Sequence, residues 1–278
     1  MSMMKRGRAA DGMALAALVL AAVSAAVGLA VAGVYRDNAA MIRQAQASDL
    51  ATLAVAVPVL AVGLWLARAG SAAGRFVALG ALGFVAYTYA IFAFSVVINP
   101  ATPLHIAIVG LATWSLILMA TSVEASPPNS ELAARLPRRT TAAFLLVVVV
   151  LFAFAWLGAI AGAISSGHLP PAVAVLNLPT SPIYTLDFAF AMPVLAIGGI
   201  RLLRGDPRGP GMALALLVFS VLMGLEVLAI FLFEVQANGA VDALITGVFA
   251  AVVVIGTGLT ALALAPTRRG PLVASVSS

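Results

Sequence analysis

Eight apolar runs fill most of this chain, each close to the roughly 20 residues that carry a helix across about 30 Å of hydrocarbon. They fall at about 13 to 35, 50 to 68, 76 to 98, 104 to 122, 141 to 165, 183 to 203, 212 to 234 and 243 to 265. A soluble fold of 278 residues has no core large enough to bury them. With 63% hydrophobic and 9% charged residues, lipid has to do the covering. In hydrocarbon every backbone N–H and C=O needs a partner within the protein, which leaves helices or a closed barrel, and the runs lack the alternation of barrel strands. The sequence predicts an all-α, polytopic transmembrane bundle of eight spans.

Orientation follows from the basic residues. Lys5, Arg6 and Arg8 precede the first span, Arg68 and Arg75 flank one short loop, and Arg201, Arg204 and Arg208 flank another. With Arg135, Arg138 and Arg139 in the central connection and Arg268 and Arg269 in the tail, one side holds 13 of the 15 basic residues. The other side holds Arg36 and Arg43. Cytoplasmic loops of membrane proteins carry such an excess, so both termini are expected in the cytoplasm of a cell that holds the protein in its inner or plasma membrane. The net charge of +5 is accounted for in the same way and calls for no nucleic-acid partner. The opening Lys5-Arg6-Gly7-Arg8 and alanine-rich run imitate a secretory signal, but the apolar stretch exceeds the 7 to 15 residues of a typical signal core and reads as a retained span.

The two halves of the chain echo each other. Pro58-Val-Leu-Ala-Val-Gly63, with Gly70 beyond it, returns 135 positions later as Pro193-Val-Leu-Ala-Ile-Gly198 and Gly205. At the same offset Gly74, Ala78, Leu79, Leu82 and Phe84 fall on Gly209, Ala213, Leu214, Leu217 and Phe219. An even number of spans per half makes this a parallel 4+4 repeat about an axis near the membrane normal, and such duplications often place a binding site at the junction. The units read as 1–122, a first four-helix repeat; 123–140, a cytoplasmic linker with a short helical turn after Asn129 or Ser130; and 141–278, the second repeat with its tail. On the outer side, Ser48 before Asp49, Thr102 before Pro103 and Ser181 before Pro182 read as helix starts. Residues 36 to 49 form a polar outer loop, and 166 to 182 form either an ordered crossover or a lid.

Few polar groups lie deep in these runs. Counted at 1.5 Å per residue, Asp187 sits about 8 Å and Glu226 about 12 Å below the outer face, with Tyr87, Tyr89 and Trp156 at about 14 to 18 Å. A carboxylate near mid-membrane costs about 3 kcal/mol on insertion scales, which calls for a buried partner, a hydrated cavity or a retained proton. No lysine or arginine lies at that depth to pair with them. Pro58 and Pro193 each free a carbonyl one turn earlier, at Ala54 and Ala189, and freed carbonyls beside carboxylates can coordinate a cation. The expected site is an outward-open pocket lined by Tyr87, Tyr89, Trp156, Asp187 and Glu226, with Asp49, Arg36, Arg43 and His105 near its mouth. Each of these has a plainer reading as packing, kink or latch. Gly158-Ala-Ile-Ala-Gly162 matches the small-residue pattern of close helix crossings.

Absences narrow the chemistry. The one lysine, Lys5, lies outside the spans, which rules out a retinal Schiff base, and two histidines outside mid-span cannot hold paired bis-histidine haems. The absence of cysteine removes disulfides, iron–sulfur clusters and thiolate chemistry. There is no phosphate-binding G-x-x-x-x-G-K-[ST], and Ser165-Ser166-Gly167-His168 lacks a third orienting group for hydrolysis. No catalytic residue, metal ligand or cofactor is read from the sequence, and a small solute or cation is the expected partner besides the bilayer.

Tyr35-Arg-Asp-Asn38, Asp49-Leu-Ala-Thr-Leu53 followed by Val55-Ala-Val-Pro58, the Tyr87-Thr-Tyr89 span, Asn99, and Leu178-Pro-Thr-Ser-Pro182 leading to Asp187 occur in an order spread over nearly the whole chain. In these motifs the chain resembles an uncharacterised family of bacterial multi-pass membrane proteins of high-GC type. The resemblance implies a membrane protein and no particular activity. Three functions fit the residues: a small-solute or ion permease with Glu226 as its protonatable group and Asp187 as a second ligand; a non-catalytic assembly or sensor subunit; and an enzyme using the two carboxyls on a lipid-linked substrate.

Overall fold

The computed structural model describes residues 3–124 and 130–265. The described residues form helices without strands, and eight of the helices are long and apolar enough to cross a membrane. The protein is an integral, multi-pass membrane protein. Its spans are α1 (Met3–Ala30), α2 (Ala39–Arg68), α3 (Ala72–Ser95), α4 (Thr102–Glu124), α6 (Arg138–Ser166), α8 (Pro182–Arg204), α9 (Gly209–Asn238) and α10 (Ala243–Leu264). Two short helices lie between them, α5 (Ser130–Arg135) in the central connection and α7 (Pro171–Ala174) in the crossover before α8. Residues 125–129 of the linker and the tail with Arg268 and Arg269 lie outside the described residues.

The largest departure from the sequence reading is the start of the second span, expected near residue 50 and found at Ala39. Asn38 caps it, its side-chain oxygen accepting from the Met41 N–H at 2.9 Å. Ser48 and Asp49 therefore lie inside the helix and start nothing. The polar stretch 39–49 is helical because one face, Met41, Ala45, Ser48 and Asp49, is buried against α1 and α9. Arg43 on another face pairs with Glu234 of α9 at 3.3 Å. The other two anticipated starts agree in position only: α4 begins at Thr102 itself, and Ser181 occupies the N-cap position of α8 ahead of Pro182 without a side-chain capping bond.

Two helices carry a wide turn just ahead of their proline. In α2 it spans Thr52–Ala56, and the Val57 N–H reaches back five residues to the Thr52 carbonyl. In α8 it spans Asp187–Ala191, and the Met192 N–H reaches the Asp187 carbonyl. A proline has no N–H and its ring presses on the preceding turn, so widening that turn relieves the clash while keeping the helix continuous. The two turns stand 135 positions apart. The same spacing separates Gly70 and Gly205, whose φ of +89° and +74° let the chain leave α2 and α8 in a left-handed turn.

Helices α1 to α4 pack on one another, while α6 packs on α8 and α10 on α9. The first group meets the others mainly where α3 packs on α9, with the first part of α2 also against α9. Close approach at this seam depends on Gly80: a Cβ there would stand 2.3 Å from the carbonyl oxygen of Ala215. Gly158 and Gly162, in contrast, have nothing within 4 Å of a built Cβ, so their pattern marks no crossing within the chain. In the first group α1 lays a stripe of Ala10, Ala14, Ala17 and Ala21 into the core, and Ser115 of α4 donates to the Ala10 carbonyl at 2.9 Å. Large side chains such as Trp65, Trp114, Phe154 and Phe190 point outward, as expected of a surface that meets acyl chains.

Candidate functional site

The polar interior is organised by three consecutive residues of α3. At 3.6 residues per turn Tyr87, Thr88 and Tyr89 point about 100° apart, so one turn of helix addresses three different neighbours.

Tyr87 faces α8. Its hydroxyl donates to Asp187 Oδ1 at 2.7 Å, and the indole N–H of Trp156, from α6, donates to Asp187 Oδ2 at 2.6 Å. Both carboxyl oxygens of a half-buried aspartate are thus held by aromatic donors. Tyr184 packs on the Trp156 ring at 5.4 Å, and Phe219 meets Tyr87 edge-on at 5.9 Å. Asp187 opens the wide turn of α8, so its side chain leaves the helix where the backbone is displaced from regular α geometry.

Thr88 faces α9. Its hydroxyl donates to Glu226 Oε2 at 3.0 Å, and Ser48 of α2 also hydrogen-bonds Glu226. Glu226 is 4% exposed. Asp49, the residue after Ser48 on α2, is wholly buried. Tyr35 donates to Asp49 Oδ2 at 2.5 Å, while Asp49 Oδ1 has no hydrogen-bond partner. The buried Thr52 hydroxyl, where the wide turn of α2 begins, likewise has none. Among the described residues no ion pair involves Asp49, Asp187 or Glu226. Tyr35 lies between α1 and α2, and burial, with Asp49 beside it, pushes its phenol well above the ordinary tyrosine range.

Tyr89 faces α1. Its hydroxyl donates to the Ala21 carbonyl at 2.9 Å, and its ring packs on Phe92 at 5.5 Å and on His105 at 5.7 Å. His105 is 1% exposed, with Nε2 unpartnered.

The residues singled out from sequence thus fall into two carboxyl groups on different sides of α3. Tyr87, Trp156 and Asp187 form one. Glu226 joins Asp49, with Thr88 and Ser48, in the other. Tyr89 and His105 stack beside this second group. Arg36 is exposed in the 31–38 connection, and Arg43 is held by Glu234. Asp49, expected at a pocket mouth, stands ten residues inside α2, about 15 Å along it.

Tyr35, Ser48, Thr88 and Gly28 were not foreseen as parts of the site. A Cβ on Gly28 would lie 1.8 Å from Asp49 Oδ2, so α1 closes over the carboxyl group only because this residue has no side chain. The usable signal was the spacing of Met41, Ala45, Ser48, Thr52 and Ala56, which continues the buried stripe of α2 back past the assumed helix start.

An 830 Å³ cavity lies beside the seam. It touches this constellation at Tyr87 and Phe219 and extends from there toward Arg75, Arg201 and Arg208, away from the 31–38 connection. Among the described residues no cluster of His, Cys, Asp and Glu has the makings of a metal site. Set against family models, curated proteins and solved structures, the chain matches none.

Proposed function

We propose that the protein is a cation- or proton-coupled permease for a small solute, built from two parallel four-span repeats with both termini in the cytoplasm of a bacterial cell. The observation that carries this reading is the Asp49–Glu226 pair. Asp49 and Glu226 are two buried carboxyl groups, one on α2 and one on α9, each with a hydroxyl donor and neither with a basic partner among the described residues. Such a pair in a low-dielectric interior needs a proton or a bound cation, and release of either is what coupling requires. Glu226 is the coupling group and Asp49 its neighbour. Asp187, gripped by Tyr87 and Trp156, is the solute ligand one helix face away, and Arg36 and Arg43 stand toward the outer mouth. The common spacing of the wide turns and of Gly70 and Gly205 supports the repeat. Wide turns are frequent at functional sites and give α2 and α8 matching points of flexure.

Reconstituted protein on a solid-supported membrane tests this directly. A jump in pH or in sodium concentration is expected to drive a transient charge displacement, abolished by Glu226→Gln and reduced at least tenfold by Asp49→Asn. Absence of displacement with either ion in the unmodified protein, or an unchanged signal in Glu226→Gln, rejects the proposal.

A further inference from the structure

The 830 Å³ cavity is a groove with the form of an amphiphile site. Its floor is the α3–α9 seam, where Gly80 and Gly83 keep α3 slim and Ala215 does the same for α9. Its walls are α4 and α8, which do not pack against each other. On α8 the wall consists of Phe190, Val194 and Ile197, spaced four and three residues apart and 63%, 43% and 49% exposed. On α4, Val109, Thr113 and Leu116 repeat that spacing. An apolar helix face that lines a cavity and is still exposed has no protein partner.

The two ends differ in chemistry. At the inner end the groove passes Tyr87 and reaches Ala90 on α3 and Leu186 on α8. At the other, Arg75, Arg201 and Arg208 converge from α3, α8 and the start of α9, and no acidic side chain among the described residues lines it. Arg201 is paired with neighbouring Asp206 at 3.4 Å. The side chains of Arg75 and Arg208 make no hydrogen bond or ion pair among the described residues. From Arg75 to Ala90 the groove follows α3 for about 22 Å at 1.5 Å per residue, more than the depth of one leaflet, about 15 Å.

We propose that this groove binds a phospholipid with an anionic head group, drawn from the leaflet on the arginine-rich face. Acyl chain lies along the α4 and α8 walls toward Tyr87, and the head group meets Arg75 and Arg208. A basic pocket between spans on the positively charged side is the setting in which anionic lipids are held. Charge-assisted contacts to guanidinium groups supply the preference over a zwitterionic lipid. The proposal stands whether or not the protein transports a solute, because it rests on none of the carboxyl groups.

Native mass spectrometry of the delipidated full chain tests it, with phosphatidylglycerol and phosphatidylcholine of identical chains as probes. Phosphatidylglycerol is expected to bind about tenfold more tightly, as one adduct per chain. Arg75→Gln with Arg208→Gln should bring the two lipids to near parity without weakening phosphatidylcholine. Ile197→Trp, placed at the lipid-facing rim where folding is spared, should remove the tight adduct by filling the groove. Equal binding of the two lipids by the unmodified protein would mean annular lipid only and overturn the proposal. A preference that survives the double arginine change, or a tight adduct that survives Ile197→Trp, overturns it too. Displacement by glycerol phosphate alone at equal concentration would overturn the acyl-chain part.

Discussion

Replacing Gly28 by alanine probes the buried carboxyl cluster with a single methyl group. The added carbon would stand 1.8 Å from Asp49 Oδ2, 2.5 Å from the Tyr35 hydroxyl and 2.7 Å from Asp49 Cγ, where real contacts essentially never fall below 3.0 Å. Something has to move by more than an ångström. Asp49 is wholly buried and held by Tyr35, so either its carboxyl swings off the phenol or α1 lifts away. Lifting α1 strains the Tyr89 bond to the Ala21 carbonyl and the Ser115 bond to Ala10. Overpacking of this kind costs about 1–3 kcal/mol. Loss of the hydrogen bond to a buried carboxyl adds about 1–3 kcal/mol, so Gly28→Ala is expected to destabilise by about 2–6 kcal/mol. Reversible unfolding in mixed detergent micelles measures this. Because the clash is with Asp49 itself, Gly28→Ala in an Asp49→Ala background should cost about 1–3 kcal/mol less than in the unmodified protein. A change below about 0.5 kcal/mol, or strict additivity with Asp49→Ala, would refute the placement of α1 over the carboxyl group.

Tyr87→Phe deletes the donor to Asp187 Oδ1 and is expected to cost about 1–3 kcal/mol in the same unfolding assay. Trp156→Phe does the same to Oδ2, and strict additivity of the two changes would show that the donors do not share one acceptor group. Tyr35 supplies a pH test. Its folded-state pKa lies above the unfolded value of about 10, so its contribution to stability is complete below about pH 10. That contribution declines as pH rises beyond about 10, because the unfolded chain then releases a proton that the folded protein keeps. Spectrophotometric titration should find the same phenolate amplitude up to about pH 11 in Tyr35→Phe as in the unmodified protein, and a smaller amplitude in the variant contradicts the assignment.

The eight spans were legible because apolar length is a strong signal that loops rarely imitate. The start of α2 was not. Residues 39–49 carry Arg43, Gln44, Gln46 and Asp49 and look like a loop, and only their burial against α1 and α9 together with the Glu234 partner of Arg43 makes them helix. That error displaced Asp49 from the interior to an imagined pocket mouth. The depth count singled out Glu226, Tyr87 and Tyr89, which are buried, and missed Asp49, which is buried too. It carried no information about azimuth, so Asp187 and Glu226 looked like partners. Adjacent residues of α3, Tyr87 and Thr88, in fact deliver them to different faces. The prolines announced an irregularity in α2 and α8, but its form, a five-residue turn ahead of each, depends on backbone geometry that residue identity leaves open.

The bond from Thr88 to Glu226 has a consequence for biogenesis. A chain inserted from its N-terminus lodges Ser48 and Thr88 in the bilayer with the first three spans, long before their acceptor emerges in the seventh. Until α9 docks, those hydroxyls can bond only the carbonyls of their own helices, and the contact to Glu226 forms last. The contact closes from the far end of the polypeptide, and a fragment ending before Glu226 lacks the acceptor that joins Thr88 to α9.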